Sequence, residues 1–402
     1  MAGALEGIRV VELGHWVAVP SACALLADWG AEVIKVEEPG VGDAMRGMTA
    51  IEGVAVGPVH FWFEQINRNK KSVAVDLRRE RGREVVHRLV RTADVFASNF
   101  RLSVLKRFGM DYHTLSQLNP RLVYAVLTGF GKLGPDREKP GYDYSAFWAR
   151  GGLMDRIGPP GAPPAPQRPS LGDNITSMLM AGTISTALYA RERTGLGQEL
   201  DLSLFNTAVW ALSIDIVTAL VSGMEIPKTD RRTVRNPLWN TYQTRDGRWL
   251  QLIMLQTDRF WPGFCQATGC QHLEKDPRFE SHQKREENSQ ALIAILEPVF
   301  ASQTLAEWEA VMSRYDLIFG RVQGVKEVLS DPQALENGFF AEVDHPAAGR
   351  TRLIGSPVKF SQTPASVRAA APQVGQHTEE VLLGLDYTWE DLGELKRAKA
   401  IP

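Results

Sequence analysis

Cysteine is scarce in this chain: three in 402 residues, at Cys23, Cys265 and Cys270. An odd number without paired spacing excludes a disulfide framework, and Cys265 and Cys270 have no second pair with which to build a structural zinc site. Reduced thiols in a cytoplasmic protein are the expectation. The eight histidines are scattered and no His-Glu-x-x-His occurs, so no metal is expected. Net charge is low as well. Lys and Arg number 45 against 47 Asp and Glu. A general nucleic-acid binder would be clearly basic, so that partner drops out, whereas a small anionic ligand held by a few local cations stays open. Long uncharged apolar runs are missing. Ser177 to Ala190 is too short to span a bilayer. Leu204 to Met224 carries Asn206 and Asp215 and reads as a buried or interface helix, so no membrane partner is expected. The opening residues lack a basic-then-apolar leader pattern.

The common signature loops are absent too. There is no Gly-x-x-x-x-Gly-Lys-Ser/Thr and no Gly-x-Ser-x-Gly. Gly129-Phe130-Gly131-Lys132-Leu133-Gly134 has the spacing of a dinucleotide loop. Pro135 and Pro140, however, deny it the helix whose N-terminus would hold a pyrophosphate. No nucleotide cofactor is therefore expected.

What is present is a globular composition, 44% hydrophobic and 23% charged, in a chain long enough for two or three units. Strand and helix signals alternate through the first half. Ile8 to Leu13, Ala31 to Glu37, Ser72 to Asp76, Asp94 to Phe100 and Leu122 to Phe130 read as strands. Ala18 to Trp29 and Arg79 to Thr92 read as helices between them. This is the pattern of an α/β fold with a parallel sheet. A break dense in Pro and Gly, Gly158 to Pro169, precedes Leu171-Gly172-Asp173-Asn174 and a long apolar helix to about Arg193. Gln198 to Leu204 reads as a further strand, and Leu204 to Met224 as one connecting helix. The texture changes near Glu225, with a hairpin signal at Arg245-Asp246-Gly247 and charged helical stretches to about Ser330.

Asp173 is the one chemical candidate. A carboxylate at a helix start is ordinarily an N-cap that accepts backbone N–H bonds. Alternatively it is a nucleophile, kept ionised by the helix end and able to attack an activated acyl group. The residues alone leave both open.

A set of ordered matches runs along nearly the whole chain. It comprises Val11-Glu12-Leu13 with His15 and Pro20; Ala31-Glu32-Val33-Ile34-Lys35-Val36-Glu37 leading to Gly42-Asp43 and Arg46; and Asn67-Arg68-Asn69-Lys70-Lys71-Ser72 with Asp76. Further on come Asn99-Phe100, Gly129-Phe130-Gly131, Gly141-Tyr142-Asp143-Tyr144, Gly172-Asp173, and Thr194-Gly195-Leu196-Gly197-Gln198. The tail adds Gly355-Ser356-Pro357-Val358-Lys359-Phe360 and His377-Thr378-Glu379-Glu380-Val381-Leu382. In these the chain resembles the family III CoA-transferases, of the formyl-CoA transferase and carnitine CoA-transferase type.

The resemblance implies a Rossmann-like large domain with a parallel sheet, made of residues 1–203 and 331–402. It also implies a linker helix at 204–224, and a smaller α+β domain with its return linker at 225–330. It implies an interlocked homodimer, with acyl-CoA and a carboxylic acid as substrates. Asp173 becomes the nucleophile, passing through an aspartyl anhydride and an aspartyl-CoA thioester. His15, Trp16, Val17 and Ala18 would line the arm of coenzyme A near the reacting centre. Asn99 and Phe100 would meet its adenine or the nearby arm, and Lys71, Arg107 and Lys139 its phosphates. Phe108 would pack on the adenine or in the core. Tyr142 would stand in the acyl pocket, and the Pro/Gly-rich loop before Asp173 is either a lid or a plain connector.

The chain also departs from the family pattern. Glu38 stands where relatives often carry a phosphate-binding Arg. Val17 replaces the Gln of the formyl-CoA enzyme, which points to a bulkier or more apolar acyl group. No counterpart of that enzyme's glycine-rich loop lies near Arg235 to Thr241. Two alternatives remain, the first of the same fold. One is an acyl-CoA racemase, but similar racemases have His where Tyr142 stands, and phenols, with a reference pKa near 10, are poor bases. The other is a CoA-binding protein without catalysis, against which Asp173 argues.

Overall fold

The computed structural model describes residues 3–51, 53–56, 59–165 and 167–402. The chain divides into two compact units. The larger contains Met1–Asp155, Pro166–Val221 and Gln333–Pro402, and the smaller contains Arg156–Ala165 and Ser222–Pro332.

The larger unit is built on six strands: β1 (Arg9–Leu13), β2 (Glu32–Glu37), β3 (Lys70–Ala74), β4 (Val95–Ser98), β5 (Val123–Thr128) and β6 (Glu199–Ser203). They lie in the order β3-β2-β1-β4-β5-β6, and every neighbouring pair is parallel. Parallel sheets are covered on both faces, so their strands run apolar on both sides of the pleat. Alternate residues divide accordingly. Val10, Val33, Val95 and Val123 face one core with α1 (Ala18–Asp28) and the long helix that follows the Pro/Gly-rich stretch. Val11, Ile34, Phe96 and Tyr124 face the other core, with the helix Glu80–Arg91 and the chain's last helices. Small residues on α1, Ala22 and Ala24 among them, are fully buried.

The tail completes the β3 edge. The Thr378 hydroxyl accepts the Ala74 N–H at 3.0 Å, and the Asp76 N–H donates to the Ala400 carbonyl at 2.9 Å. Leu382, Leu392 and Leu395 then close the second core.

Four further helices matter for the site: α2 (Leu102–Phe108), α3 (Leu171–Thr194), α4 (Leu204–Ala211) and α5 (Ser213–Ser222). The single helix expected over 204–224 is instead α4 and α5, bent by 75°. Leu212 causes the break. Its backbone, φ −95° and ψ 24°, leaves the helical region. Its N–H still bonds to Ala208, while its carbonyl opens the next helix by accepting Ile216 N–H. Among the described residues no single helix is long and apolar enough to cross a membrane.

The smaller unit has an antiparallel sheet of β7 (Thr241–Gln243), β8 (Trp249–Leu252) and β9 (Phe319–Arg321), with β8 in the middle. The β7–β8 turn falls at Arg245-Asp246-Gly247, where Gly247 adopts φ +72°. Its core stacks Tyr242 on Phe300, with Phe264 and Trp308 beside them. All three cysteines are buried free thiols.

Candidate active site

The sheet order reverses between β1 and β4. In open α/β sheets, ligands bind beyond the carboxyl ends of the strands at such a reversal. β1 runs out into Gly14 and His15, and β4 into Asn99 and Phe100. The Asn99 side chain ties the two loops together. Its Oδ1 accepts the His15 N–H at 3.0 Å, and its Nδ2 donates to the His15 carbonyl at 2.8 Å. The His15 ring stacks on Phe100 with centroids 4.9 Å apart. A cavity of about 500 Å³ opens at this point.

Trp16, next in line, has φ +65°, a left-handed backbone that a bulky residue holds only under constraint. The constraint is Asp43. Its Oδ1 accepts the N–H groups of Trp16 (3.0 Å) and Met45 (2.9 Å). Its Oδ2 pairs with Lys35 Nζ at 2.8 Å. Lys35 is fully buried and also reaches Glu12 at 2.6 Å and the Gly14 carbonyl at 2.9 Å. The other oxygen of Glu12 pairs with Lys70 Nζ at 2.7 Å. Burial works against the Lys35 ammonium, but Glu12, Asp43 and Glu37 together raise its pKa. Burial likewise opposes the Asp43 carboxylate, yet Lys35 and the contacts from His15 and Met45 hold it well below the usual range. This buried set of opposite charges anchors the turn that carries His15 and Trp16.

Asp173 is the third residue of α3, not its cap. Ser170 holds the cap position with φ +59° and makes no side-chain cap bond. Asp173 lines the cavity. Burial, with the Asp143 charge added to it, pushes the Asp173 pKa up to about 7. Asp143 opens a π-helical turn, Asp143–Ala149, and is itself buried. Its carboxylate presses against the backbone of Gly172. A side chain at 172 would run into that carboxylate and the Phe147 ring, so glycine is required there. Burial pushes Asp143 up to about 6, while the N–H groups of Gly172, Asp173 and Ser170 and the Trp148 indole face it and lower it. None of these donors closes to hydrogen-bond geometry on either oxygen.

The cavity therefore gathers His15, Trp16, Val17, Ala18, Asn99, Phe100, Lys139, Tyr142 and Asp173 in one place. Trp16 meets Tyr142 edge to face at 6.3 Å. Two expected residues lie elsewhere. Lys71 is a correction: its ammonium is engaged by Glu32 (3.0 Å) and Glu380 (2.9 Å), in a different cavity beside Arg9. Strand alternation is the reason, because Lys70 turns into the buried charge set and Lys71 to the opposite face. Arg107 does not line the cavity; its guanidinium lies over the Phe108 ring at 4.9 Å. Phe108 in turn lines a smaller cavity of about 200 Å³, which shares His15 and Phe100 with the first and is rimmed by Glu38, Asp76 and Arg78. Arg78 pairs there with Glu38 at 2.9 Å and Asp76 at 2.8 Å. The structure adds Arg101 and Arg137 as cations lining the larger cavity. Their positions, just past Asn99-Phe100 and two residues before Lys139, were the available signal. Among the described residues no group of three or more His, Cys, Asp or Glu could hold a metal ion.

The sequence profile of CoA-transferase family III matches residues 5–378. The chain belongs to CoA-transferase family III. Among family III proteins it is 34% identical to the (R)-2-hydroxy-4-methylpentanoate CoA-transferase of Clostridioides difficile, over 99% of both chains. It is equally 34% identical to the succinyl-CoA–D-citramalate CoA-transferase of Chloroflexus aurantiacus, over 99% of this chain and 98% of the other. The crystal structure of a CAIB/BAIF family protein from Brucella suis superposes with a TM-score of 0.82 at 31% identity, covering 96% of this chain and all of that one. In this family III chain, Asp143 belongs to the Gly141-Tyr142-Asp143 motif, but its nearness to Asp173 arises only when the two segments fold together.

Proposed function

We propose that this transferase moves CoA from an acyl-CoA donor to a carboxylic acid, with Asp173 as the covalent nucleophile. One observation carries the reading: an ionisable carboxylate, without a cationic partner among the described residues, in a cavity at the switch point of a six-stranded parallel sheet. A carboxylate paired to a cation is a poor nucleophile. One whose basicity is raised by burial and by a like charge is a better one, and it ionises near neutral pH.

The steps balance without ATP or metal. Asp173 attacks the thioester carbonyl; the C–S bond breaks and CoA thiolate leaves with the electron pair, giving a mixed anhydride. The thiolate attacks the aspartyl carbonyl, and the donor acid departs as its carboxylate. The acceptor carboxylate then attacks the aspartyl-CoA thioester, and the released thiolate attacks the acceptor carbonyl of the second anhydride. Asp173 is regenerated. Arg101, Arg137 and Lys139 suit the CoA phosphates, since guanidinium and ammonium groups pair well with phosphate oxygens. Phe100 and His15 offer a stacked wall along the CoA arm.

A homodimer completes the proposal. α4 and α5 expose Trp210 (80%), Ile214, Leu220 (77%) and Val221 (83%), an apolar surface that a lone chain would leave in water. Light scattering is expected to give twice the chain mass.

Incubation with an acyl-CoA donor and hydroxylamine is expected to leave a hydroxamate on Asp173, visible by peptide mass spectrometry. Absence of the adduct, with full turnover in Asp173→Ala, would sink the mechanism. In deuterated water, α-carbon exchange without acyl transfer would replace it with racemisation.

A further inference from the structure

We infer that the acids exchanged by this chain are monocarboxylic and carry a bulky apolar group, branched or aromatic, and that dicarboxylic acids are rejected. The inference rests on the transfer reading above and adds the substrate class to it. Family membership does not choose the class. Two relatives of equal identity are named for a branched hydroxy acid and for the pair succinyl-CoA and citramalate.

The cavity does choose. Its walls differ around Asp173. Tyr142 begins the turn whose next residue, Asp143, is wedged against the Asp173 helix, and Trp16 meets Tyr142 edge to face. Buried Val17 extends this side into an apolar cluster with Met45, Phe63 and Ile66. Leu127 and Leu204, both buried, line the same cavity. An acyl group on the Asp173 carbonyl therefore meets aromatic edges and branched aliphatic carbon. Trp16 is held there by a left-handed backbone tied to Asp43, so the aromatic wall is fixed before substrate arrives.

The charge around Asp173 makes the complementary half of the argument. The cavity's cations are Arg101, Arg137 and Lys139. None of them lowers the Asp173 pKa, and its single charged influence is Asp143. Those cations are assigned to the CoA phosphates in the reading above, so the remote carboxylate of a dicarboxylic acid would stand against the Trp16, Tyr142 and Val17 wall without a pairing cation. A carboxylate desolvated against such a wall without a partner disfavours binding by about 100-fold. Apolar contacts add roughly 10-fold or more for each added branch that fits.

The test is competition. The intact protein receives 4-methylpentanoyl-CoA with equimolar isotope-labelled 4-methylpentanoate, 3-phenylpropanoate, acetate and succinate, and the new thioesters are quantified by mass spectrometry. The expected result is kcat/KM for the two bulky monocarboxylates about 100-fold above succinate. Succinate used as well as either of them overturns the substrate class and leaves CoA transfer standing. No exchange into any acid, including labelled 4-methylpentanoate, overturns transfer and the substrate class together. Trp16→Leu and Trp16→Ala, checked for folding by circular dichroism, are expected to narrow the phenylpropanoate-to-acetate ratio about 10-fold or more. An unchanged ratio in both folded variants removes Trp16 from the recognition and overturns the aromatic half of the inference.

Discussion

Asp43 and Asp173 both lie beyond the carboxyl ends of one sheet, both largely removed from water, and their electrostatics run in opposite directions. Asp43 closes a set of alternating charges, Glu12, Lys35 and Lys70 among them, and its pKa is held down. Asp173 has a second carboxylate for its neighbour, and its pKa is pushed up to about 7. Burial penalises charge in both places; only the sign of the neighbour differs. The comparison teaches that the fold keeps its scaffold charges paired and leaves one reactive charge unpaired.

Three changes would break or sharpen that contrast. The largest effect is expected from Asp173→Asn, which removes the nucleophile. Turnover should fall by about 10⁴-fold or more, as for other covalent nucleophiles. The same change should not destabilise the protein above pH 7. A carboxylate whose folded pKa exceeds its unfolded value near 4 loses stability as pH rises through the window from about 4 to 7. Asn has no such slope. The variant should therefore gain on the order of 1 kcal/mol relative to the parent between pH 5 and pH 8, by urea titration at each pH. A loss at pH 8 would contradict the unpaired carboxylate.

Next is Lys35→Met, which strips the shared cation from Glu12 and Asp43. Removing one partner of a buried pair costs about 3–5 kcal/mol. Asp43, whose folded pKa is depressed, contributes stability above its unfolded pKa that is lost as pH falls. The deficit of the variant should therefore shrink below about pH 4, where the stranded carboxylates take up protons. A variant as stable as its parent at pH 7 would show the charge set to be dispensable.

Smallest is Asp143→Asn. The acid limb of kcat/KM for the donor should lie near pH 7, because the nucleophile must be ionised. The two carboxylates titrate as a coupled pair, so the limb belongs to both. Removing the Asp143 charge should move it toward lower pH, by about one unit. An unmoved limb with a lowered melting temperature would give Asp143 a purely structural role.

The fold was legible because its signals are local. The alternation of strand and helix, the helix ending near Trp29 and the turn at Gly247 are all properties of short segments. The bend at Leu212 was not legible: an apolar run reads the same whether straight or broken. Asp173 was legible as a helix-start carboxylate, and the structure moves it from cap to third residue. Asp143 was hidden beside the conspicuous Tyr142, because its meaning depends on Gly172 some thirty residues away. Lys71 was misplaced because adjacent lysines on a strand point to opposite faces, and without the register neither could be assigned. Glu38 and Arg78, far apart in sequence, face one another only across β2 and β3.

The tail that covers β3 has a consequence for how the molecule is made. The first and last segments of the chain share one core, and the smaller unit is inserted between them. During synthesis, β1 to β5 leave the ribosome long before residues 378–400 exist. Until then, Ala74 and Asp76 lack the partners that Thr378 and Ala400 later supply, and the core beneath Leu382, Leu392 and Leu395 stands open. The large unit can finish folding only once residues 378–400 have been made, and a stop codon near Gln376 would yield a chain containing every residue of the larger cavity around an unsealed sheet.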